Sequence, residues 1–397
     1  MLLGNGDGTF RQPVFSFLGV DVTAISFASA DINGDGLLDL IAVAQSLQIL
    51  LGKGDGTFAV PATVRLAQAP YGLDAAVAAD FNGDGKLDLA VAEVNFLHGR
   101  VSVELGNGNG TFEKPITSPL TGSAINNNDR LLAGDFNGDG KPDLLIGEDY
   151  TLGFGVLLGK GDGSFKTEVD TAVNNGFLSL AVGDFNTDGK TDVVVTNNGN
   201  GSNPSMTIYL SNGDGTFHSG AQYALPFYPS VTVADVNHDG KADLLVTSFG
   251  SPLQVFLGNG DGTFQNPTPG PTAFYSGGLV IDDFNGDGKL DVVVGTYDGI
   301  AFLAGNGDGT FQNPVYSNPA FQFCCQLVAI DVSGDGKLDL VSFPPTNTTG
   351  NGVTVMVGNG DGTFRPPRSL WCARTSSFWN PGCRRFQFRR CWRYWHG

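Results

Sequence analysis

Seven times along the chain, acidic and amide side chains recur at one fixed spacing, Asp-x-Asn-x-Asp-Gly-x-x-Asp, beginning at Asp31, Asp80, Asp135, Asp184, Asp235, Asp283 and Asp331. In Asp80-Phe-Asn-Gly-Asp-Gly-Lys-Leu-Asp88, side-chain oxygens at positions 1, 3, 5 and 9 and the backbone carbonyl at 7 can wrap around a single point. Gly85, at position 6, permits the sharp turn this needs. Oxygen-only ligation suits Ca2+, whereas Zn2+ or Cu2+ would call for His or Cys. Carboxylates packed this closely repel one another unless a cation sits between them. The candidate ligands are Asp31, Asn33, Asp35 and Asp39; Asp80, Asn82, Asp84 and Asp88; Asp135, Asn137, Asp139 and Asp143; Asp184, Asn186, Asp188 and Asp192; Asp235, Asn237, Asp239 and Asp243; Asp283, Asn285, Asp287 and Asp291; Asp331, Ser333, Asp335 and Asp339. Up to seven Ca2+ ions are expected. Asx turns capping strand ends are the plainer alternative, but turns alone do not require an Asp at position 9. The helix-loop-helix calcium signature fails, because its Glu at position 12 is replaced by Ala42, Val91 and Ile146. Ser333 replaces Asn in the seventh loop, which is expected to bind most weakly, while Thr187 and His238 replace the Gly at position 4.

The loops recur at spacings of 49, 55, 49, 51, 48 and 48 residues, and a second motif, Gly-Asn-Gly-Asp-Gly-Thr-Phe with small variations, begins at Gly4, Gly52, Gly106, Gly159, Ser211, Gly258, Gly305 and Gly358. Each unit reads as strands. Ala75 to Ala79 precede a loop, Leu87 to Val91 or Val193 to Thr196 follow one, and Val101 to Leu105 run into the glycine motif, whose Gly residues suit a tight hairpin. The Thr-Phe that follows is expected to open a fourth strand, stopped by a proline such as Pro61, Pro115 or Pro267. Four strands in about 50 residues, seven times and with no helical period, predict an all-β, seven-bladed β-propeller of four-stranded antiparallel blades with metal loops between first and second strands. A β-sandwich lacks such a period and a parallel β-helix has a much shorter one.

These loops and their strand context resemble the FG-GAP and VCBS-type repeats of the integrin α-subunit propeller and of many bacterial extracellular proteins. The resemblance covers residues 1 to 364. It implies that Asp31, Asn33, Asp35 and Asp39, with their counterparts, bind Ca2+ structurally, and that the protein works outside the cell or at its surface, in adhesion or another binding role. Some propellers of this type are polysaccharide lyases or dehydratases, so a polysaccharide-active enzyme or a lectin is the alternative.

Lettering the strands of a blade A to D, the aspartate loop joins A to B and the glycine turn joins C to D, so both lie at one end. The B–C and D–A connections lie at the other and vary: 121 to 129, 197 to 205, 268 to 278, 344 to 352. Recognition of a protein or glycan is expected there, with Tyr71, Tyr150, Tyr228, Tyr275 and Tyr297 as candidate stacking residues or, alternatively, as packing between blades. The glycine motif lacks the helix, the Lys-Ser/Thr pair and the βαβ frame of a phosphate loop. His98, His218, His238 and His396 share no pattern and no hydrolase elbow or zinc-protease pair occurs, so neither a catalytic set nor an organic cofactor is assigned. No apolar run of membrane-spanning length is present.

Charge divides the chain of 397 residues. Residues 365 to 397 hold 8 Arg, no Asp or Glu, all four Trp and three of the five Cys, leaving a balance of −26 for the rest within an overall −18. So acidic a body disfavours nucleic acid, which needs a basic face. The adjacent Cys324 and Cys325 read as thiols near a blade interior. The domain expectation is a propeller over 1–365, with a partial repeat at 1–15, and a foreign basic tail over 366–397. With permitted codons, the tail from Cys383 read one base later spells another aspartate loop. The expectation is therefore an out-of-frame eighth repeat, eight blades in the intact product, and a leader missing at the N-terminus because Leu2 and Leu3 already match Leu50 and Leu51 in mid-repeat. A genuine basic tail binding an acidic partner is the alternative.

Overall fold

The computed structural model describes residues 26–37, 39–43, 47–51, 62–64, 72–94, 99–120, 131–148, 153–173, 179–199, 203–271, 275–296, 299–317, 327–330, 335–342, 354–365 and 368–369. No α-helix occurs among the described residues, and none of their segments is a helix long and apolar enough to cross a membrane. Their strands pair, in strict chain order, into seven four-stranded antiparallel sheets over 26–64, 72–119, 131–172, 179–224, 230–269, 275–317 and 327–369. The second sheet is representative, with strands Gly72–Ala79, Asp88–Val94, Arg100–Glu104 and Ile116–Pro119.

Every second strand starts on the ninth residue of an aspartate loop: Asp39, Asp88, Asp143, Asp192, Asp243, Asp291 and Asp339. These strands are continuous apolar runs because both of their faces are covered. Leu89 and Val91 pack toward sheet 1, while Ala90 and Ala92, pointing the other way, pack toward sheet 3. The pattern repeats in sheet 4, where Val193 and Val195 face sheet 3 and Val194 faces sheet 5. Six apolar clusters result among the described residues, each between one sheet and the next. First strands of successive sheets lie side by side in the pairs 1–2, 2–3, 4–5 and 6–7. Repeated four-stranded sheets stacked face to face in this way are propeller-like.

Three expectations about strand ends need correcting. The Thr-Phe of the glycine motif does not open a fourth strand that proline then stops. Phe112, Phe264 and Phe311 each make one isolated bridge, to Gly106, Gly258 and Gly305, and the fourth strand begins after the proline, at Ile116, Thr268 and Val315. Proline has no N–H for the ladder, so it sits between the bridge and the strand. Proline is not the sole cause: sheet 3 has none between Phe165 and Val169 yet keeps the bridge and the break, whereas sheet 4, also without one, runs unbroken over Phe217–Ala224. Tyr275, assigned to a variable connection, opens the strand Tyr275–Asp282 and pairs with Thr296. The seventh sheet takes its fourth strand, Arg368–Ser369, from beyond residue 365, where the composition changes, because strand order rather than charge decides where a repeat ends. The partial repeat at 1–15 and the rest of the tail lie outside the described residues.

Candidate metal centre

In the loop of sheet 2 the three exposed acceptors fold back on the loop's own amides. Asp80 Oδ1 accepts from Gly83 N at 2.7 Å and Asp84 N at 3.1 Å, and Oδ2 accepts from Gly85 N at 2.8 Å. Asn82 Oδ1 accepts from Asp84 N at 2.8 Å, and Asp84 Oδ1 from Lys86 N at 2.9 Å. The loops starting at Asp135 and Asp283 repeat this set. The loops starting at Asp31, Asp184 and Asp235 keep the bonds at positions 5 to 7. The turn demands a left-handed residue at position 4, so Thr187 and His238 are held at φ +57° where the sister loops have Gly. Asp331 and Ser333 lie outside the described residues; Asp335 accepts from Lys337 N as its counterparts do.

Position 9 is different in kind. Asp88 is fully buried, and its two oxygens accept from two separate segments, Phe81 N at 2.9 Å and Gly106 N at 2.7 Å. Asp143, Asp192, Asp243 and Asp291 make the same pair of bonds, and Asp39 and Asp339 show one of the two. The buried carboxylate thus ties the aspartate loop to the glycine turn of its own sheet. At Gly106 a Cβ would stand 2.1 Å from Leu87 O, whereas sheet 4 carries Ser211 at this position and still makes the bond to Asp192. Burial raises the Asp88 and Asp143 carboxyls, the latter to about 6, against the pull of the two amide bonds, and the charges at positions 5 and 1 push the same way. By contrast the exposed Asp84 is held below its ordinary range, chiefly by the Lys86 amide.

Position 9 therefore lies beneath the exposed trio yet within its field, and Asn285 Nδ2 reaches Asp291 Oδ1 at 3.4 Å. As donors the loops fit a hard cation: every side-chain atom is oxygen, each carboxylate keeps lone pairs beyond its amide bonds, and the acids already repel. Among the described residues no three Asp, Glu, His or Cys side chains converge on one point, so an ion here also needs the Asn amide and the carbonyl at position 7. The Lys at position 7 supplies a tethered positive charge to Asp84, Asp188 and Asp239, at 3.2, 2.8 and 3.7 Å, whereas sheet 1 has Leu37 there.

The same motifs also join neighbouring sheets, which the sequence reading missed. Phe81, the second residue of its loop, meets Phe165 from the glycine turn of sheet 3 edge-on at 5.8 Å, and Phe81 O accepts from Gly163 N at 3.1 Å. Phe185 with Phe264 and Gly262, and Phe284 with Phe364 and Gly362, repeat the latch. Between sheets 3 and 4, Ser211 Oγ donates to Phe136 O and Phe136 meets Phe217. An apolar residue at position 2 of every loop was the available signal.

A family model described as the FG-GAP-like repeat matches residues 40–91, 80–146, 135–195, 184–246, 235–282 and 283–342. The chain belongs to the FG-GAP-like repeat family. Five of these FG-GAP units begin on the first aspartate of a loop, and four of those five end in the second strand of the next sheet, so the family unit spans a joint rather than a blade. Solved structures similar to this FG-GAP chain include an Agrocybe aegerita lectin that recognises non-reducing terminal N-acetylglucosamine, at 20% identity over 93% of this chain and 87% of that one, TM-score 0.52. BBS1N in complex with ARL6DN matches at 14% identity over 86% of this chain and 94% of that one, TM-score 0.51. The exotype rhamnogalacturonan lyase YesX matches at 17% identity over 83% and 65%, TM-score 0.48. At these identities the likeness to the first two shows the fold alone. No curated protein matches the chain.

At the opposite end, Tyr228 is more than half exposed in the connection leading into sheet 5, at φ +55°. Tyr71, Tyr150 and Tyr297 lie outside the described residues.

Proposed function

We propose that the chain is a calcium-stabilised, seven-bladed propeller that acts outside the cell as a binding or adhesion module, recognising a glycan or protein through its B–C and D–A connections. One observation carries this reading: the two ends are built differently. At the loop end the buried aspartates tie each described loop to its own sheet, and phenylalanines with glycine amides join sheets 2–3, 4–5 and 6–7, so little side-chain chemistry is left over. At the other end the connections differ from sheet to sheet, and large aromatic side chains stand in solvent. In each loop the residues at positions 1, 3, 5 and 9 and the carbonyl at 7 would hold Ca2+, which supplies charge neutralisation and no reaction step. The lectin relative, a glycan-recognising protein of similar fold, supports the glycan form.

A glycan-array screen of the full chain, run with calcium and with a chelator, tests the reading. Binding that chelation weakens is expected. Product formation from a polysaccharide would instead make the chain an enzyme, and neither binding nor turnover with any glycan would leave the protein-partner form alone.

A further inference from the structure

Five large hydrophobic side chains are more than two-fifths exposed among the described residues, and three of them, Phe227, Tyr228 and Phe249, gather at the joint of sheets 4 and 5. Tyr228 and Phe249 stand edge-to-face, 6.5 Å between centroids and 77° between planes, each more than half exposed. The platform is fixed in advance. Phe249 N donates to Phe227 O at 3.1 Å, Asn198 Oδ1 accepts from Tyr228 N at 2.9 Å, and these bonds hold Tyr228 at a left-handed φ that a bulky residue adopts only under constraint.

A second, independent observation lies beside it. Ser248, 3% exposed, has a hydroxyl with no hydrogen-bond partner, and so does the buried Oε1 of Gln254. By strand alternation Gln254 shares the face of Val246 and Phe256, which pack toward sheet 4, and Ser248 directly follows the second strand, Asp243–Thr247. Unpaired buried polar atoms are costly and call for a partner.

We propose that this joint binds an uncharged sugar ring, resting on the reading of the variable end as the recognition surface. Aromatic faces accept the apolar faces of a pyranose. Sugar hydroxyls both donate and accept, and so answer a serine hydroxyl together with an amide oxygen. None of the six residues is charged, and a body of −26 repels acidic sugars. Rigidity before binding lowers the ordering cost.

The test uses the full chain with cellotetraose, mannotetraose, xylotetraose, a sialylated oligosaccharide and hexalysine, read by calorimetry. At least one neutral tetrasaccharide is expected to bind, with Phe249→Ala and Gln254→Leu each about tenfold weaker and the melting temperature unchanged or, for Gln254→Leu, raised. Neutral-sugar binding that both variants leave intact would overturn this site while the general reading stands. Selective binding of hexalysine or the sialylated sugar, lost in Phe249→Ala, would overturn the sugar class. No binding by any neutral sugar overturns the inference, and the reading of the variable end then rests on the array and on protein partners.

Discussion

The two ends of sheet 5 are built in opposite ways. At the loop end Asp243 is buried, bonded to Val236 N and Gly258 N, and shielded on all sides. Barely one strand away, at the other end of sheet 5, Phe249 stands 56% exposed on a connection found in no other repeat. A repeat architecture needs each joint made the same way, so identical chemistry is concentrated where joints are made. Whatever distinguishes this chain from its relatives is free to accumulate opposite.

The contrast breaks most sharply at Asp243. Asp243→Ala strands two buried amides, and a loss of about 3–5 kcal/mol is expected in thermal melts run with chelator, where no metal contributes. Asp261→Ala, on the exposed glycine turn, should leave the same melt almost unmoved. If the two variants melt alike, the buried clamp is not what holds the loop end.

Glu104 is the flaw in that end. It is fully buried with both oxygens unpartnered, at the position where sheets 3 to 7 carry Leu157, Tyr209, Phe256, Leu303 and Met356. Burial, then the nearby Glu93 carboxylate, raises its pKa to about 7 from 4.5. The folded state therefore holds its proton more tightly than the unfolded one. Stability should fall as pH rises from about 4.5 to about 7 and stay level above, by roughly 3 kcal/mol in all. Glu104→Leu should flatten that slope, leaving the part that raised carboxyls such as Asp143 contribute, and raise the melting temperature at pH 8; an unchanged slope would assign it to those groups.

A smaller effect is expected at the glycines. A Cβ on Gly258 would lie 2.3 Å from Ala242 O, a backbone atom that cannot swing away, so Gly258→Ala should cost about 2–3 kcal/mol. Gly220→Ala, in the fourth strand of sheet 4, would set its Cβ 3.5 Å from Ile208 O and should be neutral by the same melt. Least of all, Phe249→Ala should change stability little, since more than half of the residue is exposed.

Strands and loops were legible because period and motif state them: Asp80 to Asp88 announces a turn, and Leu89 to Ala92 announces a strand covered on both faces. The second duty of Asp88 was not, because its partner Gly106 lies 18 residues on and only hydrogen-bond geometry reveals it. Phe81 and Phe165 were visible as residues but not as a pair, since they belong to different sheets. The proline rule misled because a single bridge, as at Gly106 and Phe112, looks in sequence like the start of a strand. Glu104 could have been found by aligning the repeats against each other, where one carboxylate falls in a column of apolar residues.

We propose that the repeated loop end is a set of calcium sites whose filling steadies the sheets. Calcium titration of the metal-stripped full chain, followed by calorimetry and by thermal melting, tests it most directly. The account expects several equivalents of Ca2+, up to seven, and a melting temperature that climbs with calcium concentration and falls on chelation. Uptake of less than one equivalent with an unmoved melting curve would contradict it.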